Sequence, residues 1–139
     1  MEPDLRPKRF EDMKDTFSLK ARVKSFAHAI RGVRITLNSQ HNAWIHAMVS
    51  VIVTIIGIYF RLTSWEWCWL VVAIAIVWTA EALNTSLEFL MDAATPEYHP
   101  LVEKAKDVAA GAVLISAIGA AIIGLVILGP YFARAFGIV

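Results

Sequence analysis

The sequence holds a single cysteine, Cys68, set between Trp67 and Trp69, so no disulfide framework and no cysteine-built zinc site is available to it. A buried free thiol is the expected role. Charge is scarce as well: 18% of the 139 residues are Asp, Glu, Lys or Arg, against 58% hydrophobic, with a mean hydropathy of +0.58. A soluble domain of this size is rarely so apolar. The formal net charge is only +1 and the basic residues are sorted along the chain rather than pooled on one surface, which argues against a nucleic-acid partner. Neither G-x-x-x-x-G-K-[ST] nor a protein-kinase glycine loop occurs, which excludes a glycine cradle for phosphates. The opening segment MEPDLRPKRFEDMKD has no apolar stretch and no small-residue cleavage site. It reads as no secretory signal, leaving the first membrane span to direct the chain.

What the sequence does have is three long apolar runs. Ala43 to Phe60 is uncharged for 18 residues, about 27 Å of helix, close to the thickness of a bilayer core. RLTSWEW then brings Trp65, Trp67 and Trp69, whose amphipathic rings favour the headgroup boundary. A second helical run continues through EALNTSLEFLMD to Asp92, where Pro96 and Pro100 are expected to end or break it. The third, Val108 to Ala133, is 26 residues without a charge and closes near Gly129-Pro130. The spacing predicts an all-α integral membrane fold with spans at about 43–60, 66–92 and 107–133.

Nine Lys and Arg lie in residues 1–42 and two more in 93–107, against Arg61 and Arg134 on the other side. That asymmetry places the N-terminus inside the cell, in the cytoplasmic membrane. Ahead of the first span, Leu19, Val23, Phe26, Ile30, Val33 and Leu37 recur at helical spacing, with Lys20, Arg22, Lys24, Arg31 and Arg34 mostly on the remaining faces. This predicts a basic amphipathic surface helix over 16–40 lying on the inner leaflet. Residues 1–14, of mixed charge and carrying prolines, read as a flexible tail, and 15–139 as one domain.

The residues with chemical potential fall in the lower half of the second run. Glu81, Asn84, Glu88 and Asp92 follow at steps of three, four and four, which puts them on one narrow helix face. Counted down from the tryptophans, Glu81 lies roughly 18–24 Å below the outer boundary, just inside the inner one. A charge at the centre of a spanning helix costs about 2.5–3.5 kcal/mol on insertion scales, so an acid at depth implies a partner or a task. Glu97, Tyr98, His99, Lys104, Lys106 and Asp107 follow at the same membrane face. Carboxylates beside lysines suit a metal–phosphate site: carboxylate oxygens bind Mg²⁺, lysine neutralises phosphate, and a partly desolvated glutamate takes a proton from an alcohol.

The segments EALNTSLEFLMD, EYH and AKDVAAGAVLISA resemble the signature of the prokaryotic diacylglycerol kinase family, and KSFAHAIRGVR and QHNAWIH are similar to its surface helix and its entry into the first span. The resemblance covers residues 22–130. It implies a homotrimer of three-span subunits that transfers the γ-phosphoryl of ATP, as its Mg²⁺ complex, to the hydroxyl of a membrane lipid. The expected acceptor is diacylglycerol, with undecaprenol as the alternative. Carried onto this chain, the resemblance makes Glu81 the general base, Asn84 its polar neighbour, Glu88 a metal ligand and Asp92 a supporting acid. Glu97, Tyr98, His99, Lys106 and Asp107 match the nucleotide-contacting segments, and His28 falls where the surface helix contributes to the same pocket. The family places a glutamate metal ligand where this chain has Gln40, so the site loses a charge although an amide oxygen can still reach Mg²⁺. Arg22 and Lys24 are expected at phosphate or lipid headgroups, and His46 is read as a satisfied interhelical partner.

Ala112, Ser116, Ala120 and Gly124, at steps of four, predict a seam where helices approach closely. Three helices are expected to cover little of the polar stripe, so the acids should face a neighbouring subunit and the sites form between protomers. Two other classes fit part of the pattern. A proton or ion pathway would also use an inward stripe of Glu81, Asn84 and Glu88, but would not need the 97–107 cluster. A structural assembly protein would explain the seam and the basic helix, and would leave Glu81 idle.

Overall fold

A computed structural model of the chain describes residues 18–95 and 97–138. The tail expected over residues 1–14 lies outside them. Every regular element among the described residues is a helix: α1 (Leu19–Ser39), α2 (His41–Phe60), α3 (Ser64–Ala94) and α4 (Pro100–Ala135). The last three are each long and apolar enough to cross a membrane, which makes this a multi-pass membrane protein. The chain divides after Gly32 into two compact units. In the first unit, the α1 residues Leu19, Val23, Phe26 and Ile30 are exposed, as are Lys20, Arg22, Lys24 and His28.

Within the second unit the spans run up, down and up. Gln40 holds an extended backbone between α1 and α2, so the first helix ends at Ser39 rather than at residue 40. At the far end of α2, Arg61 takes a left-handed conformation (φ 55°) and the Leu62 N–H reaches back to the Gly57 carbonyl at 3.1 Å. This is the helix stop in which the following apolar residue folds back on the last turn, and Leu62 is buried there. The close approach requires Gly57, where a Cβ would meet Leu62 Cδ1 and Trp67 Cη2 at 3.0 Å. Two residues on, Thr63 and Glu66 form a reciprocal capping box that starts α3 at Ser64.

Helix α3 ends at Ala94. Pro100 opens α4 rather than breaking a helix, its fixed φ suiting the first turn, while His99 Nδ1 accepts the Leu101 N–H at 3.2 Å. The VEKAKD segment, expected in a loop ahead of a span starting at 107, is therefore two turns of α4. Further along, α4 continues through Pro130 to Ala135.

Helix α3 packs chiefly on α4, with α2 against both. Its buried positions Leu70, Ala73, Val77, Glu81 and Asn84 recur at steps of three and four, so one face runs from an apolar core into the polar stripe. The core joins Leu62, Leu70 and Leu128 with Trp67, Ile74 and Tyr131 packed around them. Lipid tails are as apolar as leucine, so this packing gains dispersion contacts rather than escape from water. Tyr131 Oη adds a polar fastening by donating to the Glu66 carboxylate at 3.0 Å.

One sequence expectation fails here. Cys68 is exposed, because it lies about 200° around α3 from the buried Leu70. Of the small-residue seam, Ala112 is exposed, and Ala120 and Gly124 line a cavity between the spans where a Cβ at Gly124 would meet nothing within 4 Å among the described residues.

Candidate active site

The polar half of α3 faces α2 and α4 of its own chain. Gln40, Glu81, Asn84 and Glu88 line one cavity of about 280 Å³, together with Asn42 and His46 from α2 and Ala110, Val113 and Ala117 from α4. The idea that three helices leave the stripe bare is not met: Glu81 is 1% and Asn84 7% exposed in the single chain. The reason is the continuity of the α3 packing face, which keeps the same side of the helix against its neighbours as far as Asn84, below which Glu88 is half-buried and Asp92 exposed.

Hydrogen bonds knit the lower part of this cavity. Asn84 donates its amide to Glu88 Oε1 at 2.9 Å, and Gln40 donates its own to Glu88 Oε2. Each Glu88 oxygen thus has a donor, which removes most of the cost of holding a half-buried carboxylate. Thr85 donates to the Glu81 carbonyl at 2.9 Å. Asn84 Oδ1 is left over, a buried acceptor without a partner among the described residues. Such groups are uncommon in folded proteins and point to a bound species. His46 on α2 and Glu88, two turns below on α3, line the cavity beside the Glu81 carboxylate.

Within the second unit, Asp92 and the candidates of residues 97–107 do not line this cavity. Lys106 and Asp92 pair at 2.5 Å across α4 and α3, with side chains 37% and 63% exposed. Tyr98 donates to Glu103 Oε2 at 2.7 Å. That bond holds the phenol above its usual pKa, with desolvation adding to the effect. His99 is occupied as the α4 cap. Glu97 and Asp107 are exposed. Arg22, Lys24 and His28 belong to the α1 part of the first unit.

Sequence reasoning set His46 aside, although it lines the cavity beside Glu81. The available signal was the step-of-four series His46, Ser50, Thr54 in an otherwise apolar span. Ser50 donates to the His46 carbonyl and accepts the Trp78 indole N–H at 3.2 Å, tying α2 to α3 one turn above Glu81. The His46 ring itself forms no hydrogen bond among the described residues.

The donor set suits a hard cation. Glu88, the unpartnered Asn84 Oδ1 and the Gln40 amide oxygen are all oxygen ligands, and no group of three His, Cys, Asp or Glu forms a closed cage among the described residues. Mg²⁺ is usually bound in this open way, through one or two carboxylates, with waters and substrate phosphates completing the shell. A buried carboxylate beside an oxygen-rich pocket can remove a proton from an alcohol next to a phosphoryl group.

The family model described as prokaryotic diacylglycerol kinase matches residues 27–128. The chain belongs to the prokaryotic diacylglycerol kinase family. It is therefore a lipid kinase. Among curated members, it is 40% identical over 107 residues to an undecaprenol kinase of Bacillus subtilis, covering 77% of this chain and 87% of that one. It is 37% identical to a diacylglycerol kinase of Synechocystis sp., covering 76% of this chain and 61% of that one. A diacylglycerol kinase of Helicobacter pylori is 26% identical over 109 residues, covering 73% of this chain and 85% of the relative.

Proposed function

We propose that the chain moves the γ-phosphoryl group of ATP, as its Mg²⁺ complex, to the hydroxyl of a membrane lipid. Diacylglycerol is the first acceptor. Undecaprenol is the second reading, favoured by the 40% identity to an undecaprenol kinase. The observation that carries the proposal is Glu81, a carboxylate 1% exposed inside a spanning helix and opening onto an oxygen-lined cavity. An acid in that place is costly unless used.

In this reading Glu81 takes the hydroxyl proton as the lipid oxygen attacks the γ-phosphorus. Glu88, Asn84 and Gln40 hold Mg²⁺, which when bound neutralises phosphate charge. Lys106 turns from Asp92 to the phosphates, and Glu97, Tyr98, His99, Asp107 and His28 contact the nucleotide. Arg22 and Lys24 meet phosphate or lipid headgroups. The remaining requirement is alignment, and little covalent chemistry is asked of the protein. The α1 helix lies on the cytoplasmic leaflet of the bacterial inner membrane, with the N-terminus and site on that side. Three copies assemble, and sites are completed between them.

The test is to incubate purified full-length protein and γ-labelled ATP with diacylglycerol and undecaprenol in parallel, with and without Mg²⁺. Label in one lipid, dependent on Mg²⁺, names the acceptor. Label in neither overturns the proposal in favour of a proton or ion pathway.

A further inference from the structure

Two cavities of opposite character meet at His46. The polar one holds Glu81, Asn84 and Glu88. The other, about 590 Å³, is lined almost wholly by apolar side chains of α2, α3 and α4, from Ile45 and Val77 at one end to Leu128 and Phe132 at the other. Ile45, His46 and Ala117 line both. From Ala117 to Phe132, α4 rises about 22 Å, so the apolar space runs along much of the span beginning beside His46. The small residues Ala120, Ala121 and Gly124 keep it open on the α4 side.

The imidazole at this junction forms no hydrogen bond among the described residues, while Ser50, one turn further along α2, is already engaged with the Trp78 indole and the His46 carbonyl. A polar ring beside hydrocarbon is costly until a polar group comes to it. A molecule that offers a hydroxyl at one end and a hydrocarbon chain at the other satisfies both halves at once.

We propose that His46 is an acceptor-binding residue: its ring hydrogen-bonds the hydroxyl of the lipid and seats it against Glu81, while the hydrocarbon chain lies in the apolar cavity. The inference rests on the lipid-kinase reading of Glu81. In the step it serves, the hydroxyl proton passes to the Glu81 carboxylate, the lipid oxygen bonds to the γ-phosphorus, and the bond from that phosphorus to the bridging oxygen of ADP breaks. His46 keeps its own protons throughout.

The experiment compares wild type with His46→Ala, His46→Gln and Gly124→Leu in mixed micelles, reading KM for the lipid acceptor and for ATP separately. Loss of one hydrogen bond to a reacting oxygen predicts that His46→Ala raises acceptor KM about tenfold with ATP KM changed by less than about twofold. His46→Gln, which keeps a donor, recovers part of that loss. Gly124→Leu fills the apolar cavity and raises KM for a long-chain acceptor but not for a dihexanoyl one. The inference is overturned if His46→Ala matches wild type, or if it shifts both KM values together as a merely structural change would. Equal effects of Gly124→Leu on short and long acceptors also overturn it. Should His46→Ala not fold, His46→Gln and Gly124→Leu decide. A wild type that labels no lipid at all overturns instead the proposed function on which the inference stands.

Discussion

Gln40, at the extended residue before α2, donates its side-chain amide to Glu88, two turns below Glu81 on α3. The bond joins the entry of the first span to the acidic face of the second. It also means that a neutral donor stands where the resemblance leads one to expect an acid. Gln40→Glu places two carboxylates together, and their repulsion is relieved only by a cation. The variant is expected to need about tenfold less Mg²⁺ for half-maximal phosphoryl transfer, and to melt lower than wild type in chelator but not in Mg²⁺. Thermal unfolding with and without the ion checks this, and identical curves in the two conditions would count against Glu88 as a ligand.

Glu81→Gln keeps size and polarity while removing the base. Phosphoryl transfer to lipid should fall on the order of 10²–10⁴-fold in kcat, with ATP KM nearly unchanged and assembly intact. Labelled-ATP kinetics beside size-exclusion chromatography tests it. Normal turnover in a correctly assembled variant would sink the assignment of this carboxylate as proton acceptor.

Asn84 Oδ1 is buried, so Asn84→Leu removes an acceptor that nothing among the described residues satisfies. The expected outcome is a 10–100-fold rise in the Mg²⁺ needed for activity, roughly the loss seen when a group supporting a metal is removed. The Mg²⁺ dependence of transfer rate gives the reading. An unaltered requirement, in a variant that still turns over, would assign the free oxygen to something other than the ion.

Outside the spans, Tyr98 is held above its ordinary value of 10.0 by donating its hydroxyl to Glu103. A folded-state pKa above the unfolded one means that the contact is fully present below the unfolded value and is lost as pH climbs through the folded one. Carbon-13 NMR of labelled tyrosine, assigned with Tyr98→Phe, should show the Tyr98 phenol titrating above pH 10, and Glu103→Gln should bring it down. If Glu103→Gln leaves the midpoint where it was, the hydrogen bond is not its cause.

The sequence alone determined the elements and the chemistry-bearing face. Long uncharged runs admit only helices in lipid, because every backbone group must be satisfied within the segment, and α2, α3 and α4 follow those runs closely. The spacing of Glu81, Asn84 and Glu88 fixed that they share a side of α3, since 3.6 residues per turn leaves no other result. Even the Thr63-x-x-Glu66 cap was written there, though it reads as loop until the carboxylate is seen returning to the Thr63 N–H.

What that face meets was a matter for the tertiary structure. Periodicity gives an angle around one helix but not the rotation of its neighbours, so the burial of Glu81 and Asn84 against α2 and α4 of the same chain appeared only with the packing. The same limit hid His46, whose nearness to Glu81 depends on two helices lying side by side. It also misplaced Cys68, for periodicity does not say which side of α3 the neighbouring helices cover.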